Sequence, residues 1–360
     1  MTIVKPVCLL VALILLRTIF LFTFLSERER FIVNSLFYEV DVTTASDTCN
    51  NASDQGLRYR NRALNLAGRR TFDKQWTKYL CRYGLLEKRS QPTEAILRSN
   101  PVFVTAFSEN HFLDASSFLH QFNVTLAVEG VTNRTLYVYD LGIKRSRLDQ
   151  IRRQYGHFLI IRPFPFHHFP VYVATLKEYR WKPLIIADVL KTHKSLWWMD
   201  SSARVLSFKN LTFYYSELRQ CKANNACEQS PLIFTSLASH SIYAATTSGM
   251  YDYFPMRRSD AMRTAMMGAT TFILFATPQL VEDVLIWWVL CALEKDCMAP
   301  PGHYLFCDFD ANGGDRESTY AQCHRYDQSA LNILMASANR FNTTRYLRVK
   351  SGGIRIQKLQ

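Results

Sequence analysis

From Pro101 onward, hydrophobic residues fall in short continuous runs that alternate with segments of helical spacing. Apolar, β-branched runs of about four to eight residues are typical of strands buried on both faces of a sheet. Strands that alternate with helices predict one α/β domain, with a mostly parallel sheet and helices on both faces. The predicted strands are 101–107, 135–142, 158–163, 195–202, 241–247 and 270–276, and the predicted helices are 184–191, 278–293 and 328–338.

One earlier run is longer, because residues 7–25 are apolar except for Arg17. About 20 apolar residues are needed to cross a bilayer as a helix. A cleaved signal peptide is the alternative, but no small-residue cleavage site follows the run. We therefore expect a single-pass signal anchor with type II topology. The predicted plan is a cytoplasmic tail (1–6), a transmembrane anchor (7–25), a lumenal stem (26–98), the α/β domain (99–350) and a C-terminal tail (351–360).

Composition narrows the class of protein. Hydrophobic residues make up 48% of the chain, which excludes a disordered protein. The net charge of +13 favours anionic partners such as phosphates, acidic glycans or lipid headgroups. Nucleic acid is not expected as a partner, since the basic residues are dispersed and no nucleic-acid-binding motif accompanies them.

Sequons and cysteines both point to the lumen of the secretory pathway. Eight of the nine cysteines lie outside the anchor, and an even number in an oxidising compartment predicts disulfides. We expect a local disulfide between Cys221 and Cys227, and a second between Cys307 and Cys323. A zinc site is not expected, because the chain has no Cys-x-x-Cys pair. The five predicted glycosylation sites are Asn51, Asn123, Asn133, Asn210 and Asn342.

Polar residues end several of the predicted strands, namely Ser108, Asp140, Asp200 and Ser202. Ligands of open α/β sheets bind beyond the carboxyl ends of the strands, so we expect these side chains to line a binding site. A carboxylate there can hold a divalent cation that bridges a nucleotide diphosphate. The alternative for Asp200 is a structural one, in which its side chain caps the turn that follows.

Residues 179–190, with Lys182 near their start, and residues 196–202, which end in Asp200-Ser-Ser202, resemble the central block of GT-A-fold glycosyltransferases. The resemblance implies a Rossmann-related fold in which Lys182 faces the diphosphate and Asp200 holds the metal or the ribose. It also implies Mn²⁺ or Mg²⁺ as the cofactor. Ser202 stands where the family has a second aspartate, and a hydroxyl is a weaker metal ligand.

The segment His324-Arg-Tyr-Asp327-Gln-Ser is similar to the late Asp-Gln segment of several GT-A families. By this resemblance Asp327 acts as a base toward an acceptor hydroxyl or binds the transferred sugar, and His324 contacts the metal or a phosphate. The alternative is that Asp327 caps a helix. Together with 103–112 and 139–142, these segments resemble an uncharacterised family, abundant in nematodes, of type II membrane proteins of the glycosyltransferase class.

The resemblance implies an enzyme of the Golgi or ER membrane that moves a sugar from a nucleotide-sugar donor to a glycan or protein acceptor. The alternative is a catalytically inactive GT-A-like domain that binds glycans or assists a partner enzyme. The absence of a second aspartate at Ser202 favours this alternative.

Overall fold

The structure is a computed structural model that describes residues 56–87, 101–131, 134–209, 213, 216, 229–310, 313–349 and 352–358. The strands are β1 (Arg60–Asn61), β2 (Leu66–Ala67), β3 (Val102–Phe107), β4 (Leu136–Asp140), β5 (Leu159–Pro163), β6 (Ser195–Met199), β7 (Ala203–Val205), β8 (Leu232–Phe234), β9 (Leu237–Ser241), β10 (Ala265–Met267), β11 (Thr271–Phe275) and β12 (Ile354–Ile356). The helices are α1 (Thr77–Arg82), α2 (Phe112–Glu129), α3 (Arg145–Tyr155), α4 (Trp181–Thr192), α5 (Arg258–Arg263), α6 (Pro278–Leu280), α7 (Ile286–Leu293), α8 (Lys295–Met298) and α9 (Tyr326–Ala338), and a π-helical turn (Val281–Leu285) joins α6 to α7.

A six-stranded sheet in the order β5-β4-β3-β6-β11-β8 confirms the predicted mixed α/β architecture. Strands β5, β4, β3 and β6 are parallel, and β11 runs antiparallel to both of its neighbours. The chain proceeds from β3 outward to β4 and β5, and α4 then returns it to β6 on the other side of β3. The strand order therefore reverses at β3, and ligands of open α/β sheets bind at such a point, beyond the carboxyl ends.

Apolar side chains cover both faces of this sheet, which explains why its strands are continuous apolar runs. In β6, Trp197 packs with Phe103 and the aromatic residues of α2, at a ring distance of 6.3 Å from Phe103. The next residue, Trp198, points to the opposite face and lies 6.0 Å from Trp181 of α4. Successive side chains of a strand alternate in direction, so one strand serves both cores.

The described part of the predicted stem, residues 56–87, is built into the larger of the two cores. Phe72 is fully buried, and the Tyr59 ring lies 5.2 Å from two aromatic rings of the domain. Trp76 is buried as well, and its indole N–H donates to a carboxylate of the domain at 3.0 Å. The arginines of this segment suggested a solvated stem, whereas its aromatic residues place it in the fold.

The strand predicted at 241–247 is wrong. Strand β9 ends at Ser241, and a 3-10 turn follows. The Ser241 hydroxyl accepts a hydrogen bond from the amide of Ala244 at 3.1 Å, which turns the chain where the prediction extended it. The predicted C-terminal tail also contains a strand, since β12 pairs with β7.

Disulfides are present in the described domain. The predicted Cys307–Cys323 bridge is confirmed, and a second bridge, Cys291–Cys297, joins α7 to α8. The predicted Cys221–Cys227 bridge lies outside the described residues.

Two of the predicted glycosylation sites can be located. Asn342 is exposed in a turn, and Asn123 is half-buried on α2. The sites at Asn51, Asn133 and Asn210 lie outside the described residues, as does the predicted anchor at 7–25. Within the described ranges, no helix is both long and apolar enough to cross a bilayer.

Candidate functional site

The carboxyl edge of the sheet brings together the strand ends that the sequence singled out. Phe107 at the end of β3 is paired with Asp140 at the end of β4, and β6 ends beside β3 just before Asp200. Ser108 therefore follows the strand at which the order reverses. This places Ser108, Asp140 and Asp200 along one edge.

An ion cluster lies at the β6 end of this edge. The Lys182 ammonium lies 3.1 Å from Asp200 Oδ1 and 3.0 Å from Asp327 Oδ2. It also donates to the carbonyl oxygen of Ala269 at 3.2 Å. The side chains of Lys182 and Asp327 are 2% and 5% exposed, whereas that of Asp200 is 29% exposed. Asp200 is thus the member of the cluster that a ligand can reach directly.

Helix α4 positions Lys182 because its start is anchored in the core. Arg180, which precedes the helix, is 1% exposed and donates to the carbonyl oxygens of Ala292, Glu294 and Lys295 at 2.6 to 3.1 Å. Ala292 and Glu294 lie at the end of α7, where helical carbonyls lack partners within the helix, and Lys295 begins α8. Arg180 thus joins two helices, and the Lys182 backbone is held in place.

Two tyrosines, one just before α4 and one at the start of α9, have left-handed backbone conformations. Tyr179 has φ of 55° and Tyr326 has φ of 43°. Their rings are 6.5 Å apart, and Tyr326 directly precedes Asp327. Such a conformation is rare for a bulky residue and costs about 1–3 kcal/mol. Both strained positions flank the ion cluster, and strain of this kind is concentrated at functional sites.

Asp327 is held through the first turns of α9. Its carbonyl oxygen accepts a hydrogen bond from the Trp288 indole at 3.2 Å. Gln328 and Asn332 donate to the Met267 carbonyl of β10 at 2.9 and 3.0 Å. The side chain of Gln328 therefore fastens α9 to the neighbouring strand.

The surroundings of the cluster raise the pKa values of both Asp327 and Lys182. Burial raises the pKa of the Asp327 carboxyl to about 6; Lys182 opposes this shift and Asp200 adds to it. Burial by itself would lower the pKa of Lys182, but the two carboxylates outweigh it and raise that pKa above its ordinary value. Lys182 is therefore charged at neutral pH, and Asp327 loses its proton near the lower end of the physiological range.

The other predicted site residues have mostly local partners. Asp140 Oδ1 accepts from the amides of Gly142 and Ile143 at 2.8 and 2.7 Å, so its carboxylate closes a turn. The Ser108 hydroxyl donates to Asn110 of the next turn. Ser202 is 9% exposed, and its carbonyl oxygen accepts from the amide of Gln357 at 2.8 Å.

His324 is fully buried, and both ring nitrogens are engaged with the backbone. Nδ1 accepts from the amide of Thr247 at 3.2 Å, and Nε2 lies 3.1 Å from the Met298 carbonyl, to which it donates. Burial lowers the pKa of His324 to about 3. The ring is therefore neutral and presents no free lone pair to a metal ion.

The residues at this edge do not fit a divalent cation. Among the described residues, no group of three or more His, Cys, Asp and Glu side chains is arranged to hold a metal. A cation about 2.0–2.6 Å from Asp200 would lie close to the buried Lys182 ammonium. At ~4 Å and an effective dielectric constant of ~20, a +2 and a +1 charge repel by about 8 kcal/mol, which offsets much of the attraction that the single exposed carboxylate offers a cation.

Sequence reasoning missed several groups at this edge. The Trp198 indole donates to Asp200 Oδ1 at 2.7 Å. The sequence pattern predicts Trp198 as part of a strand and does not indicate this contact. Arg204, on β7, is 2% exposed and lies behind the Asp200 loop. An arginine inside an apolar stretch is the sequence signal that could have identified it.

Two exposed aromatic rings lie on the loop before α9. Tyr304 and Phe306 are 59% and 67% exposed, with ring centroids 5.9 Å apart. The Tyr304 carbonyl accepts from the amide of His324 at 2.6 Å, which connects this loop to the segment leading to Asp327. The two rings give this loop a small apolar surface that faces solvent.

Residues 50–187 match the family described as "Protein of unknown function (DUF1647)". This match agrees with the resemblance to an uncharacterised family and covers less than half of the chain. No curated protein sequence matches the chain.

Several solved structures of glycosyltransferases are similar to this chain. The galactosyltransferase LgtC, in complex with donor and acceptor sugar analogues, is 12% identical, with 71% of this chain and 86% of that chain covered and a TM-score of 0.37. Core-mannan synthase A of Aspergillus fumigatus, in an Mn/GDP form, is 10% identical, with 83% and 79% covered and a TM-score of 0.36. The mannosyltransferase Ktr4p of S. cerevisiae is 10% identical, with 74% and 78% covered and a TM-score of 0.37.

Proposed function

We propose that the described domain is a GT-A-like glycosyltransferase domain that binds a nucleotide-sugar donor at the carboxyl edge of its sheet. The observation that carries this proposal is the cluster of Lys182, Asp200 and Asp327 at the edge where the strand order reverses. Burying such charges contributes little to stability, so an ion cluster in a cleft is a candidate for function.

The members of the cluster have different roles in this proposal. Asp200 is the exposed acid and accepts hydrogen bonds from hydroxyl groups of the donor. Lys182 keeps both acids charged and in place. Asp327 acts on the acceptor as a base, or binds the transferred sugar, once substrate binding makes its carboxylate accessible.

The acceptor is a glycan or a glycoprotein, and we place it against Tyr304 and Phe306. The exposed rings of these residues offer apolar faces to a sugar, and their loop is connected to the segment before Asp327. In the double variant Tyr304→Ala/Phe306→Ala, acceptor KM should rise about tenfold while donor binding is unchanged. An unchanged acceptor KM would contradict this placement.

The domain lies in the lumen of the ER or Golgi and is anchored by one membrane span at 7–25. The disulfides and the sequons support an oxidising, glycosylating compartment. Endoglycosidase treatment of the expressed protein should increase its gel mobility, and Asn342→Gln should remove one step of this shift. A chain whose mobility does not change, with cysteines that alkylate without reductant, would contradict the lumenal location.

Thermal unfolding tests the donor site directly. UDP, GDP and their sugar conjugates are added to the purified full-length protein, in the presence and absence of Mn²⁺ or Mg²⁺, the cofactors predicted from the sequence. A ligand that binds only the folded state adds about 2.7 kcal/mol at 100 times its Kd, so Tm should rise by several degrees. Turnover is then measured as release of the nucleoside diphosphate with a glycan acceptor. If no nucleotide raises Tm, the proposal fails.

The second candidate is an inactive domain that binds glycans. The buried state of Asp327 and the serine at 202 favour it. This candidate predicts glycan binding without nucleotide binding, and nucleotide binding without turnover would favour a domain that retains only the donor site.

A further inference from the structure

The acids of the cluster already have a counter-ion, which is part of the chain. The Lys182 ammonium donates to Asp200 and to the Ala269 carbonyl, and it forms an ion pair with Asp327 Oδ2 at 3.0 Å. In a metal site, the cation balances the acids and attracts the phosphates at the same time. Here the Lys182 ammonium balances both acids and its side chain is 2% exposed, so a bound diphosphate needs a different positive charge.

Arg204 has unused hydrogen-bonding capacity next to this site. Its Nη1 donates to the carbonyls of Ser201 and Ala203, both at 2.8 Å, and so holds the loop that follows Asp200. Its Nε and Nη2 have no hydrogen-bond partner among the described residues, although the side chain is 2% exposed. Asp114 Oδ1 lies 3.7 Å from Nη2 and forms an ion pair with it, at a distance too long for a hydrogen bond.

A second arginine adds to the positive charge. Arg355 of β12 is the paired residue opposite Arg204 of β7, and it is exposed. Burial lowers the pKa of Arg204, Asp114 opposes that shift, and Arg355 adds to it. Among the described residues, Asp114 is the acid within ion-pair distance of these two arginines, so the pair carries more positive charge than those residues balance. An anion with several oxygens, such as a diphosphate, fits unused guanidinium donors because it can accept from two of them at once.

We propose that Arg204 and Arg355, and not a divalent cation, balance the diphosphate of the donor, while Lys182 balances Asp200 and Asp327. This inference rests on the proposed donor site. Arg355 meets the phosphate from solvent, and Arg204 supplies its free N–H groups from behind the Asp200 loop. Donor binding is then independent of metal.

Calorimetric titration of UDP and GDP into the full-length wild-type protein tests the metal part of this inference. One series contains Mn²⁺ and the other contains EDTA. The better-bound nucleotide should have the same Kd in both series, within about twofold. Binding only with Mn²⁺ would overturn the inference and leave the proposed function standing. If neither nucleotide binds in either series, the proposed function itself fails.

Variants test the arginine part. Arg355→Ala should weaken binding of the nucleoside diphosphate at least tenfold and leave the affinity for the nucleoside alone unchanged. Arg153→Ala, at an exposed position of α3, is the matched control for the loss of one positive charge and should have wild-type affinity. Arg204→Lys keeps the charge but not the planar guanidinium, so it should also weaken diphosphate binding. An unchanged circular dichroism spectrum would show that this variant is folded. Wild-type diphosphate affinity in both variants would overturn the assignment.

Inorganic pyrophosphate distinguishes a donor site from a general anion site. It lacks the base and the ribose, so it should bind at least tenfold more weakly than the preferred nucleotide. Equal affinity would mean that the arginines bind free anions, and this would overturn their role toward the donor.

Discussion

The ends of β4 and β6 place the same chemical group in two different environments. Asp140 is the last residue of β4 and Asp200 directly follows β6, so both lie at the carboxyl edge of one sheet. Asp140 accepts from amides two and three residues further along the chain. Asp200 accepts from the Trp198 indole and pairs with the Lys182 ammonium at 3.1 Å.

The two strand ends differ in where the partners of their aspartates come from. The partners of Asp140 are backbone groups of its own turn, which would form wherever the turn forms. The charged partner of Asp200 is Lys182, which lies on α4. The same helix places Lys182 beside Asp327. An acid that is balanced by distant charges can change the stability, the pH dependence and the ligand binding of the whole domain. An acid that closes a turn changes that turn alone.

Lys182→Met should have the largest effect, since it leaves two acids close together without a counter-ion. We expect a loss of about 3–5 kcal/mol in the free energy of unfolding, which is typical when one partner of a buried pair is removed. Urea denaturation measures it. The double variant Lys182→Met/Asp327→Asn should recover part of the loss, because one of the repelling charges is gone. A loss below about 1 kcal/mol in Lys182→Met would remove the contrast between the two strand ends.

The pH dependence of stability should reveal Asp327. Its pKa is about 6 in the folded chain and ~3.9 when unfolded, so between these values the folded state alone holds the proton. The free energy of unfolding therefore falls as pH rises from ~4 to ~6, by at most about 1.4 kcal/mol per pH unit from this group. Asp327→Asn should remove this contribution, and Asp140→Asn should retain it. Equal slopes for wild type and Asp327→Asn would show that Asp327 is not perturbed.

Asp200→Asn should weaken nucleoside diphosphate binding about tenfold, because a neutral amide is a weaker acceptor than a carboxylate for the donor hydroxyl groups. Asp140→Asn is the matched substitution at the other strand end and should bind the nucleotide like wild type. Titration calorimetry compares them. Equal losses in both variants would mean that the whole edge responds to charge and that the cluster has no special role.

Asp140→Ala should have the smallest effect, a loss of about 1 kcal/mol in the free energy of unfolding, since two backbone amides lose their acceptor. Nucleotide affinity should remain at the wild-type value. Weaker nucleotide binding in Asp140→Ala would place Asp140 in the donor site. The two strand ends would then be more alike than their hydrogen bonds indicate.

Several features of this fold could be predicted from local sequence. The apolar runs located β3, β4, β6 and β11, because a strand that is buried on both faces is mostly apolar, and they also located β5, which is partly exposed. The Cys307–Cys323 disulfide was also predicted correctly. Cys291 and Cys297 have the same spacing as Cys221 and Cys227, but they were missed because the first of them lies in an apolar helix that was interpreted only as core.

The sequence by itself determined the alternation of strands and helices, the acids at the strand ends and the turn at Asp140, since these depend on residues close together along the chain. Only the tertiary structure decided that Lys182 lies between Asp200 and Asp327 and that Arg204 is opposite Arg355. It also decided that His324 is occupied by backbone groups and that residues 56–87 join the core. The physical reason is that an ion pair or a buried contact depends on distance in space, and residues more than a hundred positions apart become neighbours only when the sheet and its helices pack.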